Sequence, residues 1–272
     1  MIIRAGYNIA FECTAPTPLL LLVLVRPERE ADLVEPESLK FAPDIPHRNY
    51  LDRFGNVCTR LLAPVGLLRL SNDFRIRDSG EAETLPVGAL QHPVDELPDD
   101  VLMFLMGSRY CDTQKLMDIA WGEFGSLAPG WPRVAAIMDF VHQRISFGYA
   151  HARDDRTAFD TYQEQIGVCR DFAHLAIAFC RCMNIPARYC TGYLGDIGVP
   201  LDPNPMDFSA WFEVYLGGGW HAMDARHNEP RIGRILMARG MDATDTAISV
   251  AFGKARLVEF SVLTDEVRSE AV

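Results

Sequence analysis

Apolar residues along this chain change period three times, and each change marks a different kind of element. Residues 2–11 and 19–25 carry closely spaced apolar positions of strand type, and 57–62 and 67–76 repeat that character after a Gly55-Asn56 turn signal. Residues 77–100 are rich in Pro, Gly and acidic side chains, which predicts a boundary between a β-rich domain over 1–95 and a second domain over 96–272. From Asp99 the period becomes helical. Val101, Leu102, Leu105 and Met106 share one face, and Leu116, Ile119 and Ala120 continue in a later helix. Pro132 opens a helix through Ala136, Ile137, Phe140, Val141 and Ile145, and 170–183 forms the next. After Pro186 short runs of aromatic and β-branched residues return at 187–193, 210–216 and 220–224. Gly217-Gly218-Gly219 joins the last two as a hairpin. Helices followed by antiparallel strands predict an α+β second domain.

Composition narrows the partners. Of 272 residues, 49% are hydrophobic and 23% charged, enough apolar material for a sizeable core. The formal net charge is −11 without a basic run, which argues against nucleic acid or an anionic membrane surface as the main partner. The longest apolar run, 19–25, is far short of the roughly 20 residues a membrane span needs. Glu12 and two prolines precede it and only Arg4 is basic, so a secretory leader is not expected and the protein is read as cytoplasmic. The seven cysteines form an odd set without framework spacing and are expected to be reduced thiols. Cys180 and Cys182 diverge on a helix, so no metal site is expected, and nothing calls for a cofactor.

Within Gly167-Val168-Cys169-Arg170-Asp171-Phe172-Ala173-His174-Leu175, a turn opens an apolar helix with Cys169 at its mouth. Unsatisfied N–H groups and partial positive charge at a helix N-terminus favour a thiolate. The effect amounts to about one pKa unit from a resting value of about 8.5, so a cationic neighbour, usually histidine, has to supply the rest. An activated nucleophile would titrate well below about 7, and an inert core cysteine near 8.5.

That segment, followed by Asn184-Ile185-Pro186-Ala187-Arg188-Tyr189, Gly192-Tyr193, Ala210-Trp211-Phe212-Glu213-Val214-Tyr215-Leu216 and Trp220 through Asp224, resembles the bacterial transglutaminase-like superfamily over most of residues 130–230. The stretch from Tyr50 to Val57 resembles the β-rich domain often found ahead of that module. The resemblance implies a papain-related fold, with a cysteine helix packed on a sheet that supplies histidine and aspartate. It places Cys169 at the nucleophile and Asp224 at the carboxylate that orients an imidazole. The family's histidine stands two residues before the tryptophan, where this chain has Ser209.

His227, three residues past Asp224, is the preferred replacement. His221 falls on the opposite face of its strand from Asp224, and His174 lies about 140° around the helix from Cys169. The oxyanion hole is expected to combine the Cys169 N–H with a donor from 162–165, Gln163 or Gln165. Trp211 either walls the cleft or belongs to the core. Arg226, Arg231, Arg234 and Arg239 either select an acidic group or form ion pairs. The reading is acyl transfer at an amide or peptide bond of a peptide or protein substrate through Cys169, His227 and Asp224. The alternative is a catalytically inactive binding or scaffolding module, because of Ser209.

Overall fold

The computed structural model describes residues 1–267. The alternating segments of the first region form β1 (Ile2–Cys13), β2 (Thr17–Leu21), β3 (Lys40–Ala42), β4 (His47–Leu51), β5 (Val57–Ala63) and β6 (Gly66–Arg77). On β1, Ile3, Ala5, Tyr7, Ile9 and Phe11 point inward while Arg4, Asn8 and Glu12 face water. β6 pairs antiparallel with β1 in a register that sets Leu70 beside Ile9 and Phe74 beside Ala5, so both strands bury the same face. The strand expected over 19–25 ends at Leu21. Beyond it the backbone leaves the ladder: the Leu22 N–H donates to Ile248 O at 3.0 Å and the Arg26 N–H to Leu236 O at 3.2 Å, carrying the chain across to the second region.

The second region begins with α1 (Asp99–Leu102), α2 (Thr113–Phe124) and α3 (Trp131–Arg144), the last carrying Pro132 in its first turn, where no donor is lost. Two short parallel strands, β7 (Ser146–Phe147) and β8 (Ile166–Gly167), flank α4 (Ala158–Glu164) and lead into α5 (Cys169–Cys182). An antiparallel sheet comes next, built from β9 (Ala187–Tyr193), β10 (Ser209–Leu216), β11 (Gly219–Met223) and β12 (Ile235–Gly240) in the order β11-β10-β9-β12. The β10–β11 turn places Gly217 and Gly218 at φ 58° and 84°, the left-handed pair that a two-residue hairpin of matching twist requires. Ala210, Phe212, Val214 and Leu216 lie in one core with Phe172, Ala176 and Phe179 of α5, so the helix is buried along nearly its whole length.

Two features depart from the local patterning. Residues 230–242, polar in sequence, contain the buried strand β12, whose Ile235, Leu236 and Met237 are covered. The last strands, β13 (Ser249–Ala251) and β14 (Ala255–Glu266), return to the first region and pair with β2 and β1. The first region's sheets are therefore β14-β1-β6-β3 and β13-β2-β5-β4, and a single cut near residue 95 does not separate them from the remainder of the chain. The core between those sheets also takes in Tyr193, Ile235 and Met237, which ties the two regions together. The molecule is α+β, and among the described residues no helix is long and apolar enough to cross a membrane.

Candidate active site

Local packing puts Cys169 at the first residue of α5. Asp171 folds back so that its carboxylate accepts the Val168 N–H at 2.8 Å and the Arg156 guanidinium at 3.1 Å, capping the helix from inside. Gly167 makes that return possible, because a Cβ there would lie 2.6 Å from the Asp171 Cβ. All seven cysteines are free thiols, and Cys169 alone is partly exposed as a residue, although its sulfur is shielded from water. It lines a cavity of about 60 Å³ together with Tyr149, Asp207, Ser209, Arg226 and His227.

Burial pushes the Cys169 thiol up to about 11. Arg226 and the Ala210 N–H pull it down, Asp207 and Asp224 raise it further, and, as the size of the helix-end effect predicts, the terminus alone does not make a thiolate. Near neutral pH the sulfur is protonated, so any nucleophilic role requires a base to take that proton. Alkylation of the folded protein is expected to modify one thiol of the seven. Its rate should keep rising beyond about pH 9, because only the thiolate reacts. Peptide mapping after iodoacetamide treatment checks both points; a plateau below neutrality or labelling of the other six would contradict this environment.

Asp224 comes directly after β11 and is buried. Its carboxylate accepts the backbone N–H groups of Arg226 and His227 at 3.0 and 3.2 Å, the His227 Nδ1–H at 2.8 Å, and both terminal nitrogens of Arg234 at 3.3 Å. Burial alone would raise this carboxyl, but the His227 bond and the Arg234 charge outweigh it and hold it well below the usual carboxylate range. The bond to Asp224 assigns the proton to Nδ1 and leaves Nε2 as the basic nitrogen of His227.

The turn is clamped from α3. His142 Nδ1 donates to Arg226 O at 2.9 Å, and Asn228, in the left-handed region at φ 54°, donates through its side chain to Asp139 at 2.7 Å. Asp139 and His142 carried no sequence motif that marked them. Their three-residue spacing, which puts both polar side chains on one side of α3, was the available signal.

The remaining candidates divide. Ser209 is buried, lines the cavity, and its Oγ has no hydrogen-bond partner among the described residues. Gln163 and Gln165 are exposed and do not reach the cavity, because α4 and its left-handed cap turn them toward solvent. Trp211 is core, on the sheet face opposite α5, with the Arg234 guanidinium 4.6 Å above its ring. Arg226 and Arg231 line the cavity. Arg239 lies elsewhere, paired with Glu28 and Glu213. His221 meets Leu216 O at 3.1 Å. His174 packs between Tyr110 and Tyr189, accepts the Ala243 N–H at 3.1 Å, and is driven down to about 3 by burial. No group of three or more His, Cys, Asp or Glu among the described residues is placed to hold a metal ion.

Comparison with known proteins gives this arrangement a context. The model of the Transglutaminase-like superfamily matches residues 124–225, a span that includes Cys169, Ser209 and Asp224 but stops short of His227. The crystal structure of a proposed cysteine protease from Cytophaga hutchinsonii is 32% identical, with a TM-score of 0.83 over 100% of this chain and 92% of that one. An uncharacterized protein of Mycobacterium leprae is 32% identical over 96 residues, a match covering 34% of this chain and only 33% of that relative.

Proposed function

This chain belongs to the transglutaminase-like superfamily, and from that premise we propose that it catalyses acyl transfer at an amide or peptide bond of a peptide or protein substrate. Cys169 is the nucleophile, His227 the base and Asp224 the group that orients it. One observation carries the reading: Cys169 and His227 line the same cavity while His227 Nδ1 is anchored 2.8 Å from Asp224. His227, from the turn after β11, supplies what Ser209 cannot.

Because the buried thiol rests protonated, His227 Nε2 takes its proton as Sγ attacks the carbonyl carbon. The Cys169 N–H and the unpartnered Ser209 hydroxyl are the donors for the resulting oxyanion, in place of Gln163 and Gln165. The imidazolium then protonates the leaving amine, the C–N bond breaks, and a thioester remains on Cys169. Water opens it to an acid, and an amine opens it to a new amide.

The non-catalytic reading has its own support in Ser209 and in the raised thiol. Intact-mass measurement after incubation with a panel of peptide amides separates the two. An acyl adduct on Cys169 and release of amine are expected. If Cys169 alkylates with a small electrophile yet never acquires an acyl group, the binding-module reading replaces the enzyme.

A further inference from the structure

Arg234 and Glu83 lie outside the family-matched residues, yet the structure connects them to the Asp224–His227 pair. The Arg234 side chain is 6% exposed and spans two carboxylates. Its Nε donates to Glu83 Oε1 at 2.6 Å and its Nη2 to Glu83 Oε2 at 3.3 Å, while Nη1 and Nη2 both reach Asp224 Oδ2 at 3.3 Å. That same Oδ2 accepts the His227 Nδ1–H. Trp211 forms the floor under the guanidinium, so the tryptophan of the Ala-Trp motif supports the relay from below. Glu83 is itself tied in place: its N–H donates to Arg231 O at 3.1 Å, and the Arg231 N–H returns to Glu83 Oε2 at 3.4 Å. A residue from the Pro- and Gly-rich connection between the two regions thus ends two ion pairs away from the imidazole.

We propose that Glu83 and Arg234 are positioning residues that set the net charge beside His227 and thereby the pH range over which the site works. Asp224, Arg234 and Glu83 together contribute one negative charge, which favours the imidazolium formed when the thiol gives up its proton. Without Glu83 that charge falls to zero; without Arg234 it doubles. The other groups facing the pair stay constant in both cases. They are Cys169 of α5, Tyr149, Asp196, Asp202, Asp207, Arg226 and Arg231 around the cavity, Glu229 in the turn, and Asp139 and His142 of α3 behind it.

The test is the titration of the His227 ring, measured by NMR in the full chain without substrate and assigned by its loss in His227→Gln. Glu83→Gln is expected to lower the midpoint by about half to one pH unit, the size of one charge acting across a partly solvated site. Arg234→Gln is expected to raise it by a similar amount, and the double variant to return it toward the wild-type value. The acid limb of kcat/KM should move in parallel. A merely structural role would lower stability or activity without opposite displacements, so midpoints that stay still or move the same way in both variants overturn the proposal. Should Arg234→Gln fail to fold, Glu83→Gln decides alone, since that carboxylate sits at the edge of the relay. The activity limb rests on the function proposed above, whereas the NMR titration does not, so the two can fail separately.

Discussion

Cys169→Ala is expected to eliminate acyl transfer, a loss of about 10⁵-fold or more in kcat/KM. In this cavity the sulfur of Cys169 is the atom that can form the covalent intermediate, and methyl chemistry offers no replacement. Cys169→Ser is expected to fail almost as fully, because the weaker acid gives its proton to His227 less readily and is the poorer nucleophile at neutral pH. Neither change should disturb the fold. Cys169 is partly exposed at the helix start, and the Asp171 cap that holds α5 in place does not involve its side chain. Thermal midpoints within about 2 °C of wild type are therefore anticipated, the usual scale for a change away from the core. Steady-state kinetics alongside thermal unfolding check the pair; activity surviving within tenfold of wild type would remove Cys169 from the mechanism.

His227→Gln is expected to cost about 10³–10⁴-fold in kcat/KM, and Asp224→Asn a comparable factor. Glutamine can still reach Asp224 but presents no basic nitrogen to a thiol whose proton is held up to about 11. Asparagine in place of Asp224 puts an amide donor where an acceptor for Nδ1–H is needed, favouring the wrong tautomer and leaving Arg234 without one of its two partners. The two variants also differ in a way that tests the geometry. His227 is at the rim and its loss should leave stability nearly unchanged. Asp224 is buried with five hydrogen bonds, so its replacement should also lower the thermal midpoint. If His227→Gln kept its rate, the proton would have to leave by another route, and the compensation for Ser209 would not be His227.

The helix that carries Cys169 was legible because its signals are local. The turn at Gly167, the acidic residue at Asp171 and the apolar spacing from Phe172 to Phe179 all act within a few residues of Cys169. The Gly217-Gly218 hairpin was legible for the same reason: left-handed backbone at both turn positions is a property of the residue type. Asp224 and His227 could be linked because three residues of tight turn bring them together.

Sequence alone thus determined the strand-helix-strand order, the cysteine at the mouth of α5 and the turn that carries Asp224 and His227, since each depends on interactions between near neighbours in the chain. Tertiary structure decided the rest. Local patterning could not show that β13 and β14 pair with β2 and β1, more than 200 residues earlier, because backbone hydrogen bonds carry no address. Gln163 and Gln165 stood close to Cys169 in sequence and still face water, because a left-handed cap at 165 redirects them. The thiol's proton affinity came from burial within the folded chain, a desolvation that helix-end charge does not cancel. Arg234 and Glu83, 151 residues apart, became one ion-pair relay behind Asp224 only when the connection folded against the sheet, where a buried guanidinium must satisfy all of its charge at once.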